Sequence, residues 1–115
     1  MMDIKERLRQ FSLRVIEMYG SLPKQTVPQV LGKQVIRSGT SVGAHYREAL
    51  RARSTSEYIS KLEGGMQELE ETMYWFELIV GAGVFREEQM AALNKEADEL
   101  MAILTTIVKK EKAKQ

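Results

Sequence analysis

Residues 54–83, STSEYISKLEGGMQELEETMYWFELIVGAG, decide the fold. Ser54-Thr55-Ser56-Glu57 is a capping-box pattern: the serine hydroxyl accepts from the amide three residues on, and the glutamate returns to the cap amide. Ile59, Leu62, Met66, Leu69, Met73, Phe76 and Val80 then recur in steps of three and four, which lays one apolar stripe along a helix. Gly81-Ala82-Gly83 closes it. A helix over 55–81 with a wet face and a greasy face must press the latter against partners, and the rest of the chain supplies three.

Upstream, Val27, Leu31, Val35, Ser38, Val42, Tyr46 and Ala49 repeat the spacing, with Thr26 as the expected N-cap and Pro28 in the first turn, where its missing amide hydrogen costs little. The middle of that segment, Ser38-Gly39-Thr40-Ser41-Val42-Gly43-Ala44, is nearly all small residues, which implies a kink or a very close neighbour. Further upstream, Ile4, Leu8, Phe11, Val15, Met18 and Leu22 form a stripe behind Asp3 as N-cap. Gly20 is expected in the left-handed conformation, with Pro23 blocking continuation and Leu22 packing from the loop. Downstream, Met90, Leu93, Ala97, Leu100, Leu104 and Ile107 run into a Lys-rich tail. Four amphipathic helices joined by short loops predict an all-α fold, an antiparallel up-and-down four-helix bundle, as one domain over 1–115 with helices about 4–19, 27–52, 55–81 and 86–110.

Composition agrees. The two prolines, Pro23 and Pro28, share one stretch, whereas a β-sandwich needs turn signals roughly every 8–12 residues. With no cysteine, a disulfide framework, an iron–sulfur cluster and a thiol nucleophile are all excluded. The charged start and the lack of any long apolar run predict a cytoplasmic protein that neither enters nor crosses a membrane. The net charge of +1 hides an uneven distribution: residues 1–53 carry +6, residues 54–104 carry −8 and residues 105–115 carry +3.

No residue set reads as an active site, and no cofactor is expected. His45, the one histidine, stands three before Glu48, but a di-iron bundle needs two Glu-x-x-His motifs plus two further glutamates, and the chain has no Glu-x-x-His. No metal site is therefore expected. Gly39 and Gly43 lack the lysine and the strand of a phosphate loop, and read instead as close-packing or subunit-contact positions. Tyr74, Trp75 and Phe76 are consecutive, about 100° apart around a helix, so they cannot share one core face. Tyr74 and Trp75 are left to cover a seam, a neighbouring subunit or a ligand. Glu48, Glu68, Glu71, Arg47 and Lys61 offer the material for an alternative, a small-molecule or metal-binding helical bundle, although ion pairs bridging helices 2 and 3 use the same residues.

The cations of the first half admit two uses. Arg7 and Arg14 of helix 1, with Arg37, Arg47, Arg51 and Arg53 of helix 2 and beyond, form a candidate face for RNA or DNA phosphates. Equally, a basic helix 1–2 side can meet the acidic helix 3–4 side of another copy, head to tail, and so close a ring.

Arg37-Ser38-Gly39-Thr40-Ser41-Val42-Gly43-Ala44, Tyr46-Arg47-Glu48-Ala49, Lys61-Leu62 and Glu71-Thr72-Met73-Tyr74-Trp75-Phe76-Glu77-Leu78 resemble the bacterial four-helix bundle family named for intervening sequences of 23S ribosomal RNA genes, over roughly residues 4–108. The resemblance implies a four-helix bundle, a ring-like homopentamer and no established enzymatic activity. At Arg37, Glu48, Lys61, Glu71 and Trp75 it carries over motif positions without roles. A related branch, the accessory proteins of diversity-generating retroelements, is strongly basic and binds nucleic acid. The acidic helices 3 and 4 of this chain depart from that branch. Taken together, the expectation is a non-catalytic, self-assembling scaffold that associates with nucleic acid through its helix 1–2 face.

Overall fold

Asp3 begins the first helix, its carboxylate accepting from the Glu6 amide at 2.9 Å. The computed structural model describes residues 2–115, and among them it contains four α-helices and no strand: α1 (Ile4–Gly20), α2 (Thr26–Leu50), α3 (Thr55–Gly81) and α4 (Glu87–Ala113). Each helix packs on its neighbours in the order α1–α2–α3–α4, and α4 returns to α1; the diagonal pairs do not pack backbone against backbone. The result is a four-helix bundle about 48 Å long and 22–23 Å across. Phe11 of α1 and Phe76 of α3 meet across the diagonal, edge to face, with ring centroids 6.4 Å apart.

Helix ends differ from expectation in ways the hydrogen bonds explain. Gly20 stays helical; among the described residues Gly83 alone has positive φ, at 75°. Gly83 ends α3 with a Schellman pair of bonds, its amide to the Val80 carbonyl and the Val84 amide to the Ile79 carbonyl, both at 3.0 Å. Thr26 is the first helical residue of α2, not its cap; Gln25 holds that position without a side-chain bond. The same helix stops at Leu50 because the amides of Arg51 and Ala52 turn back three residues, to Glu48 and Ala49, which tightens the last turn. Ser54 caps α3 through the Glu57 amide at 3.0 Å, but Glu57 returns to the amide of Arg53 rather than to that of the cap. α4 begins at Glu87 and continues to Ala113, past the expected fade near 110, with Val108 buried and Lys112 pairing with Glu63 of α3 at 2.9 Å.

Leu8, Phe11, Val15, Met18 and Leu22 are all buried, with Leu22 packing from the loop. On α3 the buried line is rotated from the expected stripe: it follows Ile59, Leu62, Gly65, Leu69, Thr72, Phe76 and Ile79, while Met66, Met73 and Val80 are only partly buried. The small waist of α2 is the reason. Ser38, Gly39 and Val42 are buried there, and the small side of α3 must face them, which displaces the methionines to the flank, Met66 lying beside Met101 of α4. On α2 itself, Val27 is 55% exposed and Leu31 and Tyr46 are partly buried, whereas Pro28, Gly32 and Gly39 are buried. On α4, Val108 takes the buried place expected of Ile107.

Candidate assembly and polyanion surfaces

The small-residue waist has two neighbours within the chain. A Cβ on Gly39 would stand 3.0 and 3.1 Å from the Val15 methyls of α1, and one on Gly43 would stand 3.6 Å from Leu8 Cβ, so both glycines let α1 lie close. On the other flank the Thr72 hydroxyl lies 2.7 Å from that of Ser38, and the His45 side chain rests against Gly64 and Gly65, where a Cβ on Gly64 would meet its ring at 3.1 Å and one on Gly65 would meet its Cβ at 3.3 Å. The sequence reading missed Thr72, having followed Met73; the signal available was that a small face on α2 calls for a small face opposite. His45 Nδ1 and Trp75 Nε1 are buried without a protein partner. Trp75 is partly buried against the core, while Tyr74 remains 52% exposed, its ring centroid 5.3 Å from that of Trp75.

The six arginines expected to share a helix 1–2 face do not share one. Arg7 points to α4, donating to Glu96 at 2.7 and 3.2 Å and to Glu99 at 3.0 Å, and the Glu96 bond above all favours its charged form. Arg37 points to α3, bonding Glu71 at 2.8 Å and Glu68 at 3.3 Å. Arg14 lines an open groove of about 500 Å³ with Glu17, Phe85 and Gln89. Arg47 stands at the rim of a second groove, about 350 Å³, between α1 and α2. Arg51 and Arg53 sit in the α2–α3 turn, at one end of the bundle. Arg14, Arg47, Arg51 and Arg53 have no ion-pair partner among the described residues.

That end also receives the Lys-rich tail. α2 and α4 run parallel in an up-and-down bundle, so their C-termini coincide; Glu111 of α4 lines a groove with Arg53, Thr55 and Tyr58. Lys109 and Lys110, adjacent to Glu111 along α4, are exposed and unpaired among the described residues. Cations at the C-terminal ends of both helices, Lys110 and Lys112 in the last turn of α4 and Arg51 at the C-cap of α2, complement the helix dipoles.

The polar residues weighed for a ligand site, Arg47 aside, are engaged in ion pairs. Lys61 Nζ donates to Glu48 at 3.0 Å, and this bond holds the Glu48 carboxyl below the usual carboxylate range. Glu68 and Glu71 share Arg37, and Arg47 takes no part in the network. Among the described residues, no group of three or more His, Asp or Glu side chains stands close enough to hold a metal ion. No helix among them is long and apolar enough to cross a membrane.

The model of the 23S rRNA-intervening sequence protein family matches residues 1–106. The chain belongs to that family. A similar solved structure is the crystal structure of a protein of unknown function from the S23 ribosomal protein family of Bacteroides thetaiotaomicron VPI-5482. It is 34% identical, covering 93% of this chain and 99% of that one, with a TM-score of 0.86. No curated protein matches the chain. The family is thus one of intervening-sequence proteins, not a known enzyme family, and its bundle is the fold described above.

Proposed function

We propose that this family member is a non-catalytic helical scaffold that assembles with copies of itself and touches RNA or DNA phosphates with one end of its bundle. The observation that carries the nucleic-acid part is that Arg51, Arg53, Lys109 and Lys110 all belong to the same end of the bundle and are unpaired among the described residues, while Arg7 and Arg37 are occupied by glutamates. Unpaired surface cations can release the counterions of a phosphate backbone without first breaking an ion pair. Self-assembly is supported by Leu13 and Ile16, 44% and 48% exposed on α1, and a ring of five is the form the resemblance implies. The carboxylates bridging α2 and α3 are spoken for by Lys61 and Arg37, which leaves that cluster paired and not free for chemistry.

Titration of a fluorescent single-stranded RNA and a DNA duplex over a salt series tests this reading. Affinity should fall steeply with salt, and Arg51→Glu with Arg53→Glu should weaken binding at least tenfold and lower the salt slope by about 2, roughly one for each phosphate no longer neutralised. Arg37→Gln should change it little. Absence of binding at low salt rejects the nucleic-acid role, and near-stoichiometric iron or manganese in the purified protein would favour a metal-binding bundle instead.

A further inference from the structure

The basic end of the bundle holds a groove that mixes both signs of charge with an apolar lining. α1 begins at Ile4, one turn before Arg7, and Arg7 reaches Glu96 and Glu99, whereas α4 runs on to Ala113. The last turns of α4 therefore pass the start of α1, and a groove of about 360 Å³ opens between them and the α2–α3 turn. Ala49, Ala52 and Tyr58 give it apolar surface, Leu50 beside them is 51% exposed, and Arg53 and Glu111 face it from the turn and from α4. Burial above all, and then the Glu111 charge, pushes the Tyr58 phenol up, so the ring stays neutral at physiological pH. Cations stand on both sides: Arg51 and Arg53 on the turn, Lys109 and Lys110 just before Glu111 on α4, all four unpaired among the described residues. Glu111 itself meets Lys114 at 3.1 Å, an exposed contact within its own helix, and Glu57 is turned onto the Arg53 amide at 3.3 Å.

We propose that this groove holds one unpaired base of a single-stranded nucleic acid, the base stacking on Tyr58 and donating from an exocyclic amino group to the Glu111 carboxylate, while Arg51, Arg53, Lys109 and Lys110 neutralise the phosphates on either side of it. This assignment rests on the phosphate contact proposed above and names its substrate. The order of the charges decides it. A site for phosphate alone gains nothing from a carboxylate among its cations, because Glu111 repels a phosphate oxygen. A ligand that is neutral in the middle, carries N–H donors there and is negative at both ends matches both signs, and a nucleotide within a strand is such a ligand. Every base has a face that can stack on an aromatic ring. Edges differ: cytosine offers an amino group where uracil has a carbonyl oxygen, and a carboxylate accepts from the first and repels the second. A duplex keeps its bases stacked on one another, so it can meet the cations but cannot enter the groove.

Fluorescence anisotropy with labelled oligocytidine, oligouridine and a duplex of equal length, at low salt, tests it, with circular dichroism confirming that each variant keeps its helices. Oligocytidine should bind at least about fivefold more tightly than oligouridine. Glu111→Gln, whose amide both donates and accepts, should level the two; it changes a side chain outside the core, so it still tests the site if Tyr58→Leu disturbs packing. Tyr58→Leu should weaken both single strands at least about fivefold and leave the duplex unchanged, whereas Tyr58→Phe, which keeps the ring, should bind like the unaltered chain. Equal binding of oligocytidine and oligouridine by the unaltered chain removes Glu111 as the reader and overturns the assignment. If all three probes bind, Tyr58→Leu and Glu111→Gln change nothing and only R51E/R53E weakens them, the base site is rejected while the phosphate contact stands. No binding of any probe at low salt sinks both.

Discussion

The hydroxyls of Ser38 and Thr72 lie 2.7 Å apart in the fully buried interior of the α2–α3 seam. Ser38 Oγ is also 2.9 Å from the Gln34 carbonyl, and Thr72 Oγ1 is 2.7 Å from that of Glu68. Two protons serve three contacts, so the pair is a small coupled network in which Ser38 donates to Gln34 while Thr72 donates to Ser38 or to Glu68. Thr72→Val keeps the shape and removes the donor. It should cost about 1 kcal/mol, Ser38→Ala a similar amount, and the double variant less than their sum, because each single change strands part of the same network. Urea unfolding of the four proteins measures this; strict additivity would mean the hydroxyls act independently.

Gly39 and Gly20 should respond oppositely to alanine. At Gly39 the new methyl meets the Val15 methyls at 3.0 and 3.1 Å, and Val15 is β-branched and fully buried, so it has little freedom to yield. The expected loss is about 1–3 kcal/mol after the gain in helix propensity is set against overpacking. Gly20 has nothing within 4 Å of the same position and lies in the helix with ordinary φ, so Gly20→Ala should stabilise by up to about 1 kcal/mol. Thermal denaturation separates the two.

Arg7 should not tolerate lysine. The guanidinium bonds Glu96 through two nitrogens and reaches Glu99 as well, with side-chain exposures of 23% for Arg7 and 19% for Glu96, and an ammonium cannot reproduce that fork. Arg7→Lys is expected to cost about 1 kcal/mol in denaturant unfolding, near the upper end for an ion pair not fully buried. Equal stability of the two proteins would show that the α1–α4 seam does not use this bridge.

Acid should erase the contribution of the Lys61–Glu48 bridge. The Glu48 carboxyl is lowered first by its hydrogen bond from Lys61 and then by the attraction of that charge, so its contribution is complete above the usual carboxylate range and is lost as pH falls through the lowered folded value. Lys61→Met should therefore be less stable than the unaltered protein near neutral pH, and the two melting temperatures should converge towards strongly acid pH. A gap independent of pH would assign the effect to packing of the lysine stem.

Much of this was readable from the letters. Ser54 and Asp3 as caps, the Gly83 turn and the four recurrences of three and four are local, and local chemistry fixed them. Thr26 and Gly20 misled, because which residue caps a helix depends on the path of the incoming chain as well as on the residue type. The rotation of α3 was not readable. Met66, Met73 and Val80 satisfy the period as well as Gly65, Thr72 and Ile79 do, and only the close approach of α2 selects the smaller set.

Sequence by itself determined that this protein is four long helices with one apolar side each, because steps of three and four with no interior proline leave the backbone no better way to bury those side chains. Tertiary structure alone decided which cations remain available. Arg7 and Arg37 are no different in kind from Arg47, Arg51 and Arg53, yet the first two meet glutamates brought from 31 to 92 residues away. The last three meet none among the described residues. Pairing of charges is a matter of distance in space, and that distance is set by which helices become neighbours and which ends they share.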